Sequence, residues 1–165
     1  MPFLQLFYHL VWATKGRRRL ITPDLEPALY GFMRSKAIGL GGTVYAIGGI
    51  EDHVHVVASV PPSIALSTFV GQVKGVSSAH TNKGRGLDAP RFAWQEDYGA
   101  FTFDAKRLPY LVTYAEQQKA HHAQQRTIPL LERMAGDPGG YLVQESDVGY
   151  VADYDYWVDA MIALV

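Results

Sequence analysis

The spacing of apolar residues changes several times along this chain, and each change marks an element. Phe3 to Ala13 is a mostly apolar run holding Phe7, Tyr8, Val11 and Trp12, which predicts a strand buried largely on both faces. Thr22-Pro23 supplies a cap and a proline at the first helical position. Leu25, Ala28, Leu29, Phe32 and Met33 then recur at helical spacing until Gly39, Gly41 and Gly42. Thr43 to Ile50 reads as a strand, and Val54, Val56 and Val57 give a second one after a turn at Glu51-Asp52. Beyond Pro61-Pro62, Ser63 is placed to cap a helix whose core stripe is Leu66, Phe69, Val70, Val73 and Val76. Thr81 to Pro90 is a polar loop, Phe92 to Trp94 and Ala100 to Phe103 form a last strand region, and Ala105 to Gln125 a last helix. The order strand, helix, strand, strand, helix, strand, helix predicts an α+β fold. Its form is a ferredoxin-like split βαβ antiparallel sheet with helices on one face.

At 165 residues, with 48% hydrophobic and 19% charged side chains, the chain suits one globular domain rather than a disordered segment. It has no cysteine, which excludes a disulfide scaffold and any thiolate metal site and favours the cytoplasm. The longest uncharged runs, Met1 to Thr14 and Ala37 to Ile50, fall short of the roughly 20 apolar residues of a membrane span, and no basic segment follows Met1 as in a secretory signal. A soluble cytoplasmic protein with no membrane partner is expected.

The net charge of −1 hides an asymmetry. Residues 126–165 carry seven acids against Arg126 and Arg133, a balance of −5, so residues 1–125 carry +4. The expected organisation is a domain over 1–125 and an extension over 126–165 that packs on it or on a dimer partner. Tyr150, Tyr154, Tyr156, Trp157, Met161 and Leu164 give that extension apolar surface. The basic portion is suited to nucleic acid. Lys15, Arg17, Arg18 and Arg19 are its densest run, either a solvated loop or a phosphate contact, and Lys74 and Ser78 on the exposed side of the second helix are further phosphate candidates.

The candidate chemistry lies in two segments. His53 and His55, one apolar residue apart on a strand, point the same way and could hold one metal ion with a third ligand; the plainer alternative is the wet side of an amphipathic strand. With Val54 and Val56 turned to the core, both imidazoles are expected to be accessible. Tyr114 and Gln118, four apart on the last helix, share a face and could bring a phenol and an amide oxygen to one small site. His121 and His122 read as helix-end histidines, and His9 and His80 carry no signal.

Five segments in order make the chain resemble a known family: Phe7 to Lys15 with Arg17, Arg18 and Arg19 after it, Asp52-His53-Val54-His55-Val56-Val57, Phe69 to Ser78, Trp94 to Phe103, and Tyr114 to His122. The chain is similar to the single-tyrosine HUH transposases, enzymes of insertion sequences and of their domesticated relatives associated with repetitive extragenic palindromes. Gly75, and Gln95 after Trp94, depart from many relatives but lie outside the chemistry.

The resemblance implies the HUH endonuclease fold and a transposase that cuts and rejoins single-stranded DNA through a 5′-phosphotyrosine. Tyr114 would be the nucleophile, and His53, His55 and Gln118 the ligands of a divalent metal, Mg2+ or Mn2+. It further implies a homodimer acting on single-stranded DNA, with hairpin ends. The tyrosine helix would reach the partner's histidines, making a composite site. A non-mobile DNA-binding relative, or a metal-dependent phosphoesterase using water, stays open as an alternative.

Overall fold

A computed structural model describes residues 2–134. Its strands are β1 (Phe7–Ala13), β2 (Thr43–Ile50), β3 (His53–Ser59) and β4 (Gly99–Phe103); its α-helices are α1 (Glu26–Gly39), α2 (Leu66–Lys83), α3 (Leu108–Glu116) and α4 (Gln118–Ala123). The sheet runs β2-β3-β1-β4 with every neighbouring pair antiparallel, the order expected of a split βαβ fold. Residues 135–165, which include the aromatic and apolar positions of the expected extension from Tyr150 onward, lie outside the described residues.

Alternation along the two central strands separates two cores. Leu10 and Trp12 of β1 and Val54, Val56 and Ala58 of β3 pack with Leu29, Met33 and Ala37 of α1 and Phe69, Val70 and Val73 of α2. Val57 of β3 turns to the other face and packs with Ala46, Phe103, Leu111, Tyr114, Ala115, Ile128 and Leu131. The helices expected on one face are therefore divided, α1 and α2 on one side and α3 on the other. Two apolar faces in one strand require two covers, and that is why His53–Ala58 is buried without a break.

Several boundaries move for local reasons. β1 starts at Phe7, and Phe3, expected inside the strand, is 85% exposed. Ser63 does not cap α2: the cap position is Ala65, and no side chain bonds there. α2 continues to Lys83, into the expected loop, because Thr81 is buried against the domain. The last helix breaks at Gln117 (φ −98°, ψ 21°) into α3 and α4.

Trp94 bridges Thr14 and prolongs the sheet edge beyond β4's partner residues. Its indole nitrogen donates to Ser77 Oγ at 3.0 Å. Lys74 fixes the same segment: Nζ donates to the carbonyls of Glu96 (2.8 Å) and Asp97 (3.1 Å), and the residue is 8% exposed. Lys74 is thus an internal strut, which corrects its expected place among the exposed phosphate contacts. Burial lowers the pKa of its ammonium.

The segment after α4 returns to the sheet. Ile128, Leu131 and Met134 are buried, and a 3-10 turn at Pro129–Glu132 lies against β1 and β4. Passage there needs Gly99, since a Cβ at that position would meet the Arg133 carbonyl oxygen at 2.0 Å.

Candidate active site

The face of the sheet under α3 carries the polar cluster. In the β1–β3 register Val11 opposes His55 and His9 opposes Val57, so His9, a strand away, shares the face of His53 and His55. All three are buried: His9 and His55 are fully enclosed and His53 is 1% exposed. The expected accessible histidines are instead roofed by α3, whose Tyr114 ring stands edge-on to His55 with centroids 5.7 Å apart.

Each imidazole has one nitrogen held from behind. Asp52 Oδ1 takes His53 Nδ1 at 2.7 Å, and His9 Nε2 lies 2.8 Å from His55 Nδ1. Both Nε2 atoms then face the carboxylate of Glu132, with Oε2 3.2 Å from each. A carboxylate only accepts, so His55 Nε2 carries the proton in the metal-free chain and Nδ1 accepts from His9. Glu132 Oε1 accepts the hydroxyl of Tyr114 at 2.5 Å, and that hydroxyl in turn accepts the backbone N–H of Ile128 at 2.9 Å. His122 Nε2 stands 3.7 Å from Glu132 Oε2 at the rim. Gln118 is fully buried; its Nε2 donates to the Tyr114 carbonyl at 3.0 Å, and Oε1 has no hydrogen-bond partner.

This packing sets the electrostatics. Burial alone would lower His53, but the two carboxylates that face it, Asp52 and Glu132, prevail and raise its pKa to about 9. Burial lowers His55 and His9. Burial would raise Glu132, yet the imidazoles of His53 and His55 that face it, the latter through a hydrogen bond, hold its carboxyl well below the usual range. Tyr114 is pushed upward by burial and by the negative charge of Glu132, so its phenol is firmly protonated at rest.

The carboxylates around His53 make stability depend on pH. Its folded pKa of about 9 lies above the ordinary 6.5, so its contribution to stability is complete below about 6.5 and is lost as pH rises through 9. The metal-free chain should therefore show a falling urea midpoint between pH 6.5 and 9 in chelator, and His53→Gln should flatten that slope. A midpoint level over this range in the unsubstituted chain would contradict the ion-pair geometry.

The residues present fit a divalent ion. Two imidazole nitrogens oriented by partners on their far sides are what a metal site requires, and a buried amide oxygen without a partner is a further hard donor. His53, Glu132 and His122 also form a group of ligand atoms close enough to share one ion.

The sequence-predicted residues separate as follows. His53, His55 and Tyr114 converge in one buried cluster around Glu132, and Gln118 is buried one turn beyond Tyr114, tied to its carbonyl. Lys15, Arg17, Arg18 and Arg19 are exposed on the turn after β1, tied to the Asp52 corner by Thr14 N–H to the Asp52 carbonyl (2.9 Å) and Ile21 N–H to the Glu51 carbonyl (2.9 Å). Ser78 is half-buried and donates to its own helix at the Gly75 carbonyl. Tyr114 lies over the histidines of its own chain, where the resemblance implied a partner's, because the link at 104–107 turns straight into α3.

His9, Asp52, His122 and Glu132 join the cluster without having been expected there. For His9 a signal existed, since a histidine inside a strand buried on both faces needs a polar partner. Glu132 is 77 residues from His55 and gives no local sign.

Comparison with known proteins gives the chain's family and fold. The family model described as transposase IS200-like matches residues 3–118. Over 74 residues the chain is 34% identical to the ISDra2 transposase TnpA of Deinococcus radiodurans, covering 45% of this chain and 53% of that protein. Over 71 residues it is 30% identical to the transposase for insertion sequence element IS200 of Salmonella typhimurium, covering 43% and 47%. The chain thus spans about half the length of the curated relatives it matches. The structure of a REP-associated tyrosine transposase bound to a REP hairpin shares the fold, with a TM-score of 0.55 at 12% identity over 74% of this chain and 72% of that one. A crystal structure of a putative transposase from Deinococcus radiodurans R1 does so with a TM-score of 0.57 at 24% identity, over 71% and 93%. The family match covers more than half of the chain and takes in the paired histidines, the buried tyrosine and the amide one turn beyond it, and on it the protein belongs to the IS200-like transposase family.

Proposed function

We propose that this chain cuts and rejoins single-stranded DNA by transesterification through Tyr114, assisted by a divalent metal, Mg2+ or Mn2+. The observation that carries the reading is the meeting of a buried phenol with two oriented imidazoles in one cluster, joined through Glu132. His53, His55 and Gln118 would hold the ion. When bound, it supplies charge neutralisation at a non-bridging phosphate oxygen and lowers the cost of deprotonating a nearby phenol.

The protein's own groups do the rest. Asp52 and His9 keep the two imidazoles aimed at one point, and α3 excludes water from the hydroxyl. Tyr114 Oη forms a bond to phosphorus as the bond from phosphorus to the 3′ oxygen breaks. The phenol proton leaves through Glu132 Oε1, which accepts the hydroxyl, the departing 3′ oxygen takes up one proton in exchange so that its strand ends in a 3′-OH, and the 5′ phosphate remains on the tyrosine. A 3′-OH then reverses the exchange and restores the phenol, so bond energy is retained for joining. One tyrosine per chain makes one cut, and two ends therefore call for a homodimer.

The expected DNA is single-stranded with hairpin ends, as a REP hairpin is bound by one structural neighbour. The basic turn Lys15–Arg19 would receive its phosphates, a reading supported by its exposure and by the backbone bonds that tie it to the Asp52 corner. Replacing Arg17, Arg18 and Arg19 together by Ala should flatten the dependence of binding on salt by about two to three in log–log slope. An unchanged slope assigns the turn to solvent.

Residues 126–165 are proposed to be an extension of the catalytic domain, and the cytoplasm its place. No helix among the described residues is long and apolar enough to cross a membrane. The test of the whole reading is a denaturing gel: single-stranded hairpin DNA with Mn2+ should give a covalent protein–DNA band that excess chelator prevents. DNA cleaved without such a band would refute the tyrosine route.

A further inference from the structure

We propose that Glu132, carried by the 3-10 turn beyond the segment matched by the family model, is itself a metal ligand, so that the centre is built from His53, His55 and a carboxylate together with the Gln118 oxygen. The inference rests on the metal-assisted reading above and adds a ligand to it.

Geometry carries it. Donors at right angles around an octahedral ion with bonds of roughly 2.1 Å stand about 3.0 Å apart. Glu132 Oε2 lies 3.2 Å from Nε2 of both His53 and His55, close to that spacing on each side, and the ligand atoms of His53, His122 and Glu132 all lie within 4.8 Å of one another, near enough to share one ion. For His53 this closeness is not a hydrogen bond: the Nε2 atom is buried and lacks a partner in bonding alignment, the residue being 1% exposed. The nitrogen and the oxygen stand side by side, as ligands of a shared ion do. Asp52, gripping Nδ1 at 2.7 Å, leaves Nε2 as the only ring atom that can serve.

Glu132 is also held in place. Ile128 and Leu131, beside it in the chain, are buried in the core under α3, and Oε1 is occupied by the Tyr114 hydroxyl. Ligation through Oε2 would leave that hydrogen bond intact, so one carboxylate would tie the nucleophile to the metal. Chemically it converts a neutral donor set into an anionic one, which favours a hard ion such as Mg2+ or Mn2+ over a softer one.

The experiment is Mn2+ binding to the full chain, read by loss of the free-ion electron paramagnetic resonance signal, without DNA. Glu132→Gln should raise the Kd by about tenfold or more, the size usual for a lost group of a metal centre. Glu51→Gln removes the same charge from an exposed position beside the Asp52 corner and should change it by less than about twofold. Glu132→Asp keeps charge and acceptor atoms but shortens the reach by one methylene, and should still weaken binding by about threefold or more; it serves if the Gln variant fails to fold. A Glu132→Gln effect no larger than that of Glu51→Gln, or an Asp variant binding as tightly as the unsubstituted chain, overturns the proposal. Failure of the unsubstituted chain to bind Mn2+ at all overturns the metal reading, and this ligand with it.

Discussion

Tyr114→Phe should abolish the covalent protein–DNA adduct while leaving affinity for hairpin DNA within about twofold, since the change removes one oxygen from a buried site and no surface charge. The same variant should also be less stable. Tyr114 Oη is the acceptor for the buried N–H of Ile128, and Phe leaves that donor unpaired, a cost of about 1–3 kcal/mol. Three measurements therefore belong together: adduct on a denaturing gel, DNA affinity at one stated salt, and the urea midpoint. Loss of adduct with affinity and cleavage both retained would mean that water replaces the phenol as nucleophile, the phosphoesterase alternative. Retained adduct would remove Tyr114 from the chemistry.

The periods of the sequence are sufficient for the sheet and insufficient for its covers. β2 is legible to the residue, and β3 in its start, because Thr43 to Ile50 and the His53 segment are bounded by Gly and by the Glu51-Asp52 turn. Which faces the helices cover is not, because a strand buried on both sides reads as a plain apolar run. The alternation that divides Val54 and Val56 from His53, His55 and Val57 carries the information, and takes on meaning only when α3 is seen to roof the second set. His53, His55, Tyr114 and Gln118 can be named because each pair is local in sequence, at two and four residues apart. Glu132 and His9 join them through strand register and through the return of the chain after α4, relations no local window contains. Lys74 illustrates the opposite error. A lysine beside a helix stripe is usually solvated, and here two carbonyls of the Trp94 segment capture it.

Gly48→Ala should be the most damaging small substitution in the sheet. A Cβ at Gly48 would lie 1.7 Å from the carbonyl oxygen of Ala115 and 2.6 Å from its carbon, both backbone atoms of α3 that no rotamer can move aside. The helix must therefore lift from β2, or the strand must bend. Either response opens the core around Ala46, Val57 and Leu111, with an expected loss of about 1–3 kcal/mol or more. Tyr114 is the residue before Ala115, so the displacement passes directly to the nucleophile. A misplacement of that kind should lower the rate of adduct formation by about a hundredfold, beyond what the stability loss explains. Gly31→Ala is the control: it lies on the exposed side of α1, where an added Cβ would meet no atom within 4 Å, and the removal of a helical glycine should raise stability by about 0.5–1 kcal/mol. The check is the urea midpoint of both variants, followed by single-turnover adduct formation at a temperature where each is fully folded. A Gly48→Ala chain with an unchanged midpoint would show that α3 does not rest on its own β2, and the assignment of Tyr114 to its own chain's histidines would fall with it.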